Sequence, residues 1–274
     1  MLRKRIVTAL FGIPLLIVII WFAGPIGFAV AAAVWGVLAA YEFFRLVGVS
    51  RVIPLMLFGL VWTVLFILHP HFSEEATVPL LLTSSIVLSL ILTVFLFKKE
   101  GIFNNWVWMI GGIFYVGWLL SYLVALRLEP GIETFPEIGR NLVFLALFVT
   151  FGSDTMAYFI GKAVGRHKLA PRISPGKTWE GAFAGIVGAV IVSLLFTLST
   201  PFELPLSYLH AILLGVLVSV FGQIGDLVES LLKRHSGVKE SGSLMPGHGG
   251  LLDRMDSIVF AGVVVSLYYT YVLL

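Results

Sequence analysis

The stretch GSLMPGHGGLLDRMDSIVF, from Gly242 to Phe260, joins a glycine-rich polar loop directly to an apolar segment near the end of the chain. The apolar segment has the length and composition of a membrane-spanning helix. Two acidic residues, Asp253 and Asp256, lie where it begins. Ionisable side chains are costly at membrane depth, so this pair requires a functional or an electrostatic explanation.

The composition is that of a membrane protein. The chain has 274 residues, of which 59% are hydrophobic and 12% charged, and its mean hydropathy is +1.02. Soluble domains carry about 25% charged residues. Cysteine is absent, which excludes disulfides, thiolate catalysis and cysteine metal sites. The isoelectric point of 9.2 is better explained by membrane topology and anionic lipid than by nucleic acid, so we expect no nucleic-acid partner.

Nine stretches are apolar enough to be membrane spans. They are Ile6–Ala23, Ile26–Tyr41, Val52–Leu68, Thr77–Phe97, Trp106–Leu126, Leu142–Ile160, Gly181–Ser199, Leu206–Leu227 and Leu251–Tyr271. We therefore predict an all-α, polytopic integral membrane protein of about nine transmembrane helices, with a polar catalytic cavity on the cytoplasmic side. The first stretch is longer than the apolar core of a signal peptide, so we expect it to be retained as a helix.

The same pattern predicts two regions. Residues 1–140 form an N-terminal membrane region of about five helices, and residues 141–274 form a C-terminal catalytic region of about four helices with two long loops. Sixteen of the eighteen Lys and Arg residues fall on the N-terminal side of the nine spans; only Arg127 and Arg140 fall opposite. Cytoplasmic loops carry such an excess. We expect the N-terminus and the active site in the cytoplasm, the C-terminus on the opposite side, and the protein in the cytoplasmic (inner) membrane.

Five acidic residues approach the predicted cytoplasmic surface from three spans. Asp154 lies inside span six, Asp226 and Glu229 lie near the end of span eight, and Asp253 and Asp256 lie at the start of span nine. Residues three apart share one face of a helix. Carboxylates without cysteine or clustered histidine suit a hard cation such as Mg²⁺. The alternative is that the last two acids favour the helix dipole and the middle two pair with Lys233 and Arg234.

The two long polar loops, at about residues 161–180 and 231–250, carry groups that handle phosphate. Their basic side chains and hydroxyls include Lys162, Arg166, Ser174, Lys177, Thr178, Lys233, Arg234, Lys239 and His248. Glycine backbones approach phosphate closely, and amides at a helix start can face an anion. The plainer alternative is that basic loop residues report topology and that the glycines only form a turn. Together with the acids, they favour polyphosphate chemistry on an acceptor from the bilayer.

Two runs of residues resemble the phosphatidate cytidylyltransferase, or CDP-diacylglycerol synthase, family. The first is Ser230-x-x-Lys233-Arg234, then Lys239, then His248-Gly249-Gly250-x-x-Asp253-Arg254-x-Asp256. The second comprises Ser153-Asp154 through Tyr158, Gly161-Lys162, Gly165-Arg166-His167, Ser174-Pro175 and Lys177-Thr178-Trp179-Glu180-Gly181. The chain departs from the family at Glu240, where aspartate is usual, and at Gly176, where lysine is common.

The resemblance implies that CTP and phosphatidate react to give CDP-diacylglycerol and pyrophosphate, with Mg²⁺ as cofactor and a second cation left open. It implies metal ligation by Asp226, Asp253, Asp256 and Asp154. Catalytic roles are implied for Asp226, Lys233, Arg234, Lys239, His248, Asp253, Arg254 and Asp256. Substrate binding is implied for Ser153, Lys162, Arg166, Ser174, Lys177, Thr178, Ser230, Gly249 and Gly250. The expected partners are CTP, phosphatidic acid and membrane lipid, and a homodimer is a further implication.

Two other function classes fit part of the pattern. A cation-coupled transporter also carries acidic residues at membrane depth. It needs access from both faces, and the outer loops of this chain are short and acidic. A lipid-alcohol kinase that uses CTP would share the metal and nucleotide groups but would release CDP.

Overall fold

The structure, a computed structural model, describes Gly12 and residues 14–72, 76–245 and 249–274. Residues 14–22 are helical. The helices that follow are α1 (Gly24–Leu46), α2 (Ile53–Leu68), α3 (Thr77–Phe95), α4 (Ile102–Gly112), α5 (Leu119–Leu128), α6 (Ile138–Val164), α7 (Trp179–Leu195), α8 (Tyr208–His235) and α9 (Asp256–Tyr268). A π-helical segment, Ile113–Trp118, joins α4 to α5, and a second, Tyr269–Leu273, extends α9.

The predicted helical membrane architecture is confirmed. Within the described chain, seven helical segments are long and apolar enough to cross a membrane, and they correspond to predicted spans two to six, eight and nine. The seventh prediction corresponds to α7, which has 17 residues and is shorter than the others. Seven of the eighteen residues of the first predicted span, 6–11 and 13, lie outside the described residues. The count of nine, the cavity and the orientation of the termini stay predictions.

The first polar loop contains a β-hairpin that the sequence analysis did not predict. Strand β1 (Lys168–Ala170) pairs antiparallel with β2 (Ser174–Thr178), with Lys168 opposite Thr178. The turn is closed by the N–H of Ile173, which donates to the carbonyl of Ala170 at 3.2 Å. Helix α6 continues to Val164 before the hairpin, so the irregular part of this loop is much shorter than expected.

The last helix begins later than predicted, which corrects the expectation that Asp253 and Asp256 share one helix face. Leu252–Arg254 forms a single turn of 3₁₀-helix, and α9 starts at Asp256. The physical reason is that the Asp253 carboxylate accepts the N–H groups of Ser241 and Gly250, at 3.0 and 2.9 Å. These bonds hold Asp253 in the loop that precedes the helix.

Contacts group the chain into two compact units. The first comprises Met1–Ala125 and Val238–Arg254, and the second Leu126–Gly237 and Met255–Leu274. The predicted division at residue 140, which separates a catalytic region from the rest, stays a prediction. In the first unit the core is aromatic: Phe44 is fully buried, and Gly59 and Gly112 leave room for its ring because a Cβ at either would collide with it.

Small residues set the helix packing of the second unit. A Cβ on Gly181 would lie 2.7 Å from the carbonyl oxygen of Ala157, and one on Gly185 would lie 3.2 Å from that of Ser153. The Gly181-x-x-x-Gly185 pair therefore packs α7 against α6 within the same chain. On the other side, a Cβ on Gly215 of α8 would lie 2.7 Å from the Cα of Val190.

We expect Gly215→Ala to destabilise the protein, because the new methyl group meets backbone atoms of α7 that cannot rotate away. Overpacking of this kind costs about 1–3 kcal/mol. The measurement is thermal unfolding of the purified protein in detergent. The matched control is Gly111→Ala, whose Cβ would have no neighbour within 4 Å. Equal melting temperatures for the two variants would contradict the packing described for α7 and α8.

Candidate active site

Five charged side chains of the second unit interact with one another, and we call them the charged cluster. They are Lys177, Asp226, Glu229, Lys233 and Asp256. Lys177 comes from β2, Asp256 from the start of α9, and the other three from the last turns of α8. Three carboxyl groups against two ammonium groups leave a formal excess of one negative charge when all are ionised.

Lys177 and Asp226 form the shortest ion pair of the cluster. The Nζ atom of Lys177 lies 2.8 Å from Oδ2 of Asp226 and 3.5 Å from the carbonyl oxygen of Gln223. The other carboxylate oxygen of Asp226 accepts a hydrogen bond from Ser230 Oγ at 3.3 Å. The hairpin makes this pairing, because the end of β2 carries Lys177 to α8. It differs from the alternative raised by the sequence, in which Asp226 pairs with a base of its own helix.

Glu229 is the buried member of the cluster. It is fully buried, and its Oε1 atom lies 3.4 Å from Nζ of Lys233 one turn along α8. Asp256 lies within electrostatic range of both Asp226 and Lys233. Since an ionised group in an apolar interior must be compensated, the ammonium group of Lys233 explains how the Glu229 carboxylate is tolerated there.

The cluster offers carboxylate oxygens, which Mg²⁺ prefers as ligands, but only a small number of them. Mg²⁺ is usually held by one or two carboxylates and completes its shell with substrate phosphates and water. Asp226 and Asp256 come from two helices, and the Asp226 side chain keeps 37% of its exposure. Among the described residues no group of three or more His, Asp or Glu side chains is arranged to hold a metal ion. The two carboxylates fit a cation that takes its remaining ligands from phosphate and water.

Several predicted residues of the hairpin region have structural partners. Arg234 donates from Nε to the carbonyl of Ile173 at 3.2 Å, which ties the hairpin turn to α8. Thr178 is buried and caps α7 by accepting the N–H of Gly181 at 3.2 Å. Glu180 accepts from the backbone N–H of His167 and contacts its Nδ1 at 2.6 Å. The Glu180 backbone N–H, and then the His167 imidazole, lower the pKa of Glu180 to about 2.

The predicted residues of α6 differ in their surroundings. Ser153 is buried, and its hydroxyl lies 2.7 Å from that of Ser219, which also accepts from Gln223 Nε2 at 3.0 Å. This polar chain joins α6 to α8. Asp154 is exposed, as are the loop-side residues Lys162 and Arg166. Ser174 is partly exposed on β2. Their contact with metal or substrate stays a prediction.

The remaining predicted residues belong to the first unit. Lys239 and Arg254 are exposed, and Gly249 and Gly250 are buried. Gly249 has a φ of +83°, a left-handed conformation that favours glycine. The N–H of Gly250 donates to the carboxylate of Asp253, so this amide is not free to face a substrate phosphate. His248 lies outside the described residues.

Two buried acids, Glu229 and Glu42, were not counted among the predicted site residues. Glu229 was recognised as an acid at a helix end but was not counted among the ligands or catalytic groups. Glu42, in α1, is only 3% exposed and accepts the N–H of Leu252 at 2.9 Å. The predicted second span ended at Tyr41, one residue too early. The signal was an acidic residue within an apolar helix, which α1 includes because it continues to Leu46.

The family model and three relatives that match this chain are all described as cytidylyltransferases. Residues 3–272 match the family model described as the cytidylyltransferase family. The chain is 33% identical over 271 residues to a phosphatidate cytidylyltransferase of Bacillus subtilis (strain 168), covering 98% of this chain and 97% of that protein. It is 39% identical over 199 residues to that of Staphylococcus saprophyticus, covering 72% of each. It is 33% identical over 277 residues to that of Brucella abortus biovar 1, covering 97% and 93%.

Lys233→Met should destabilise the protein, because it leaves the buried carboxylate of Glu229 without its partner. Breaking a buried pair in this way costs about 3–5 kcal/mol. The double variant Glu229→Gln, Lys233→Met should recover part of that loss, since it removes the uncompensated charge. Chemical unfolding in detergent measures both, with Lys168→Met as the control at an exposed position of the same unit. A single variant as stable as the control would mean that the pair is not compensating a buried charge.

Proposed function

This chain belongs to the cytidylyltransferase family, and we propose that it transfers cytidylate from CTP to phosphatidate, giving CDP-diacylglycerol and pyrophosphate. The observation that carries the proposal is the charged cluster. It offers carboxylates for a divalent cation and ammonium groups for phosphate in a helical unit whose outer surface is apolar. A site of this kind suits a reaction between a soluble nucleotide and a lipid.

In the proposed reaction an oxygen of the phosphatidate phosphate attacks the α-phosphorus of CTP. A new phosphorus–oxygen bond forms there, and the bond from the α-phosphorus to the oxygen bridging to the β-phosphorus breaks. Pyrophosphate leaves with the electron pair of that bond. The lipid phosphate is itself the nucleophile, so the protein needs only to position the two phosphates and balance their charge.

The side chains of the cluster divide this work by charge. Lys177 would exchange the carboxylate oxygen of Asp226 for a phosphate oxygen, and Lys233 would face the same phosphates from α8. Asp226 and Asp256 would hold Mg²⁺, with Asp253 and Asp154 as the further predicted ligands. When bound, Mg²⁺ would neutralise charge on the nucleotide phosphates and on the leaving pyrophosphate. The sequence motif further predicts Arg234, Lys239 and Arg254 as positive groups that neutralise the triphosphate.

The location follows from the substrates. CTP is supplied from the cytoplasm, and the excess of basic residues on one side of the spans supports a cytoplasmic N-terminus and active site. Phosphatidate reaches the site from the inner membrane. A second cation and a homodimer, which the family resemblance suggests, are further parts of this proposal.

The purified protein should convert labelled CTP and phosphatidate into lipid-bound cytidylate, with one pyrophosphate released for each. A lipid kinase would release CDP instead, and a transporter would form neither product. Analysis of the lipid and aqueous phases of one reaction separates the three functions. Release of CDP without lipid-bound cytidylate would overturn the proposal.

Asp226→Asn should reduce turnover by about 100-fold or more, the scale of losing a group that acts on transition-state charge. The amide has the same shape and still accepts from Ser230, so the loss would report the charge. The control is Glu133→Gln, which makes the same chemical change at an exposed position of the same unit. Full turnover in Asp226→Asn would exclude this carboxylate from the metal site.

Removal of divalent cations should stop turnover, because the phosphates would lose their main counter-charge. Excess EDTA should abolish the activity of the purified protein, and added Mg²⁺ should restore it. Activity that survives EDTA unchanged would contradict the role proposed for Asp226 and Asp256.

A further inference from the structure

We propose that Glu42 is a positioning residue for the loop that leads to Asp253 and Arg254, whose two described limbs are residues 241–245 and 249–252. The proposal goes beyond the reaction, and its catalytic consequence rests on the proposed function, in which this loop serves the nucleotide. Glu42 lies near the C-terminal end of α1, about two hundred residues before the loop in sequence. Both belong to the first unit.

The burial of Glu42 indicates a specific role. It is 3% exposed within a helix of predominantly apolar residues, where a lone carboxylate would be strongly unfavourable. Its Oε2 atom accepts the backbone N–H of Leu252 at 2.9 Å and lies 3.5 Å from Oγ of Ser241. One carboxylate oxygen thus contacts both ends of the loop. Charge-assisted bonds of this type are stronger than bonds between neutral groups.

The glycines of the loop are fitted to this carboxylate. A Cβ on Gly242 would collide with Oε1 of Glu42, and a Cβ on Gly250 would lie 2.6 Å from Oε2. Oε1 is buried and has no hydrogen-bond partner among the described residues, so its close packing against Gly242 is what fills the space around it. Neither glycine has a positive φ, so glycine is required here by close approach and not by an unusual backbone conformation. The approaching group is Glu42 at Gly242, and Ser241 Oγ followed by Glu42 at Gly250.

A second carboxylate holds the same two limbs from within the loop. Oδ2 of Asp253 accepts the N–H groups of Ser241 and Gly250. The limbs are joined further along by the N–H of Met245, which donates to the carbonyl of Gly249 at 3.1 Å. Glu42 therefore anchors to α1 a loop that Asp253 closes. Loss of Glu42 should release the loop from the helix and leave Asp253 and Arg254 less well placed.

Hydrogen exchange of the purified protein in detergent tests the anchoring without reference to activity. In Glu42→Gln and Glu42→Ala, the backbone amides of residues 241–245 and 249–252 should exchange about tenfold faster than in the parent protein. Amides of α2 should keep their rates. The control is Thr63→Val, which removes a buried hydroxyl of the same unit that bonds only within its own helix, to the carbonyl of Gly59 at 2.8 Å.

Steady-state kinetics test the consequence for the reaction. In Glu42→Gln the KM for CTP should rise about tenfold, since a small displacement of binding groups is expensive, while the KM for phosphatidate stays within about twofold. Thr63→Val should change neither. A variant that loses kcat alone, or both KM values equally, would show that Glu42 has only a general structural role.

A double-mutant cycle tests the contact itself. Gly242→Ala should impair the parent protein, because the new methyl group meets Glu42. In the Glu42→Ala background it should cost at least about fivefold less in kcat/KM for CTP, because that carboxylate is gone. If the effects of Gly242→Ala and Glu42→Ala on kcat/KM for CTP were strictly additive, the proposed contact between the two residues would be contradicted.

The outcomes separate this inference from the proposed function. Unchanged exchange at residues 241–245 and 249–252 in both Glu42 variants overturns the inference, whatever the turnover. Faster exchange throughout the protein, α2 included, also overturns it. A parent protein that makes no CDP-diacylglycerol overturns the proposed function, while the exchange measurement still decides whether Glu42 holds the loop.

Discussion

The salt bridge between Lys177 and Asp226 places opposite charges 2.8 Å apart at the end of a helix whose other residues are mostly apolar. The constraint behind it is general: charge inside an apolar unit must be compensated, and a group left alone is strongly destabilising. Glu229 is fully buried and meets the same requirement through Lys233. The hairpin supplies one of the compensating charges, because Lys177 at the end of β2 contacts Asp226 of α8. Packing, charge balance and the proposed chemistry therefore depend on the same few side chains.

Carboxylates in this chain also hold loop backbone in place by accepting hydrogen bonds from its N–H groups. Asp253 gathers the N–H groups of Ser241 and Gly250, and Glu42 accepts that of Leu252. A loop without regular secondary structure leaves such donors unsatisfied, and a buried unsatisfied donor costs about 1–3 kcal/mol. The two acids provide the acceptors that a strand or a helix would otherwise supply. An acidic residue in a family signature can thus have a structural role alongside a catalytic one.

The sequence was sufficient for the membrane architecture, because a span is recorded in the length and hydropathy of a continuous stretch. It also singled out Lys177, Asp226, Lys233 and Asp256, since charges near apolar spans stand out, and the structure brings these four together while their roles stay predictions. It did not predict the hairpin, whose strands are three and five residues long and carry no clear alternation. It placed Asp253 in a helix because periodicity cannot reveal a carboxylate bonded to the preceding loop. It missed Glu42 because its partners lie far away in sequence, and only tertiary structure brings them together.

The central claim is that the carboxylates of Asp226 and Asp256 receive a divalent cation together with nucleotide phosphate. The most direct measurement is an experimental structure with Mn²⁺ and a non-hydrolysable CTP analogue, in which anomalous scattering locates the ion. We predict the ion bonded to oxygens of both carboxylates at about 2.0–2.2 Å, the range for small hard cations of this kind, with Nζ of Lys177 moved from Asp226 to a phosphate. An ion bound elsewhere, with Lys177 and Asp226 still paired beside the bound nucleotide, would contradict the account.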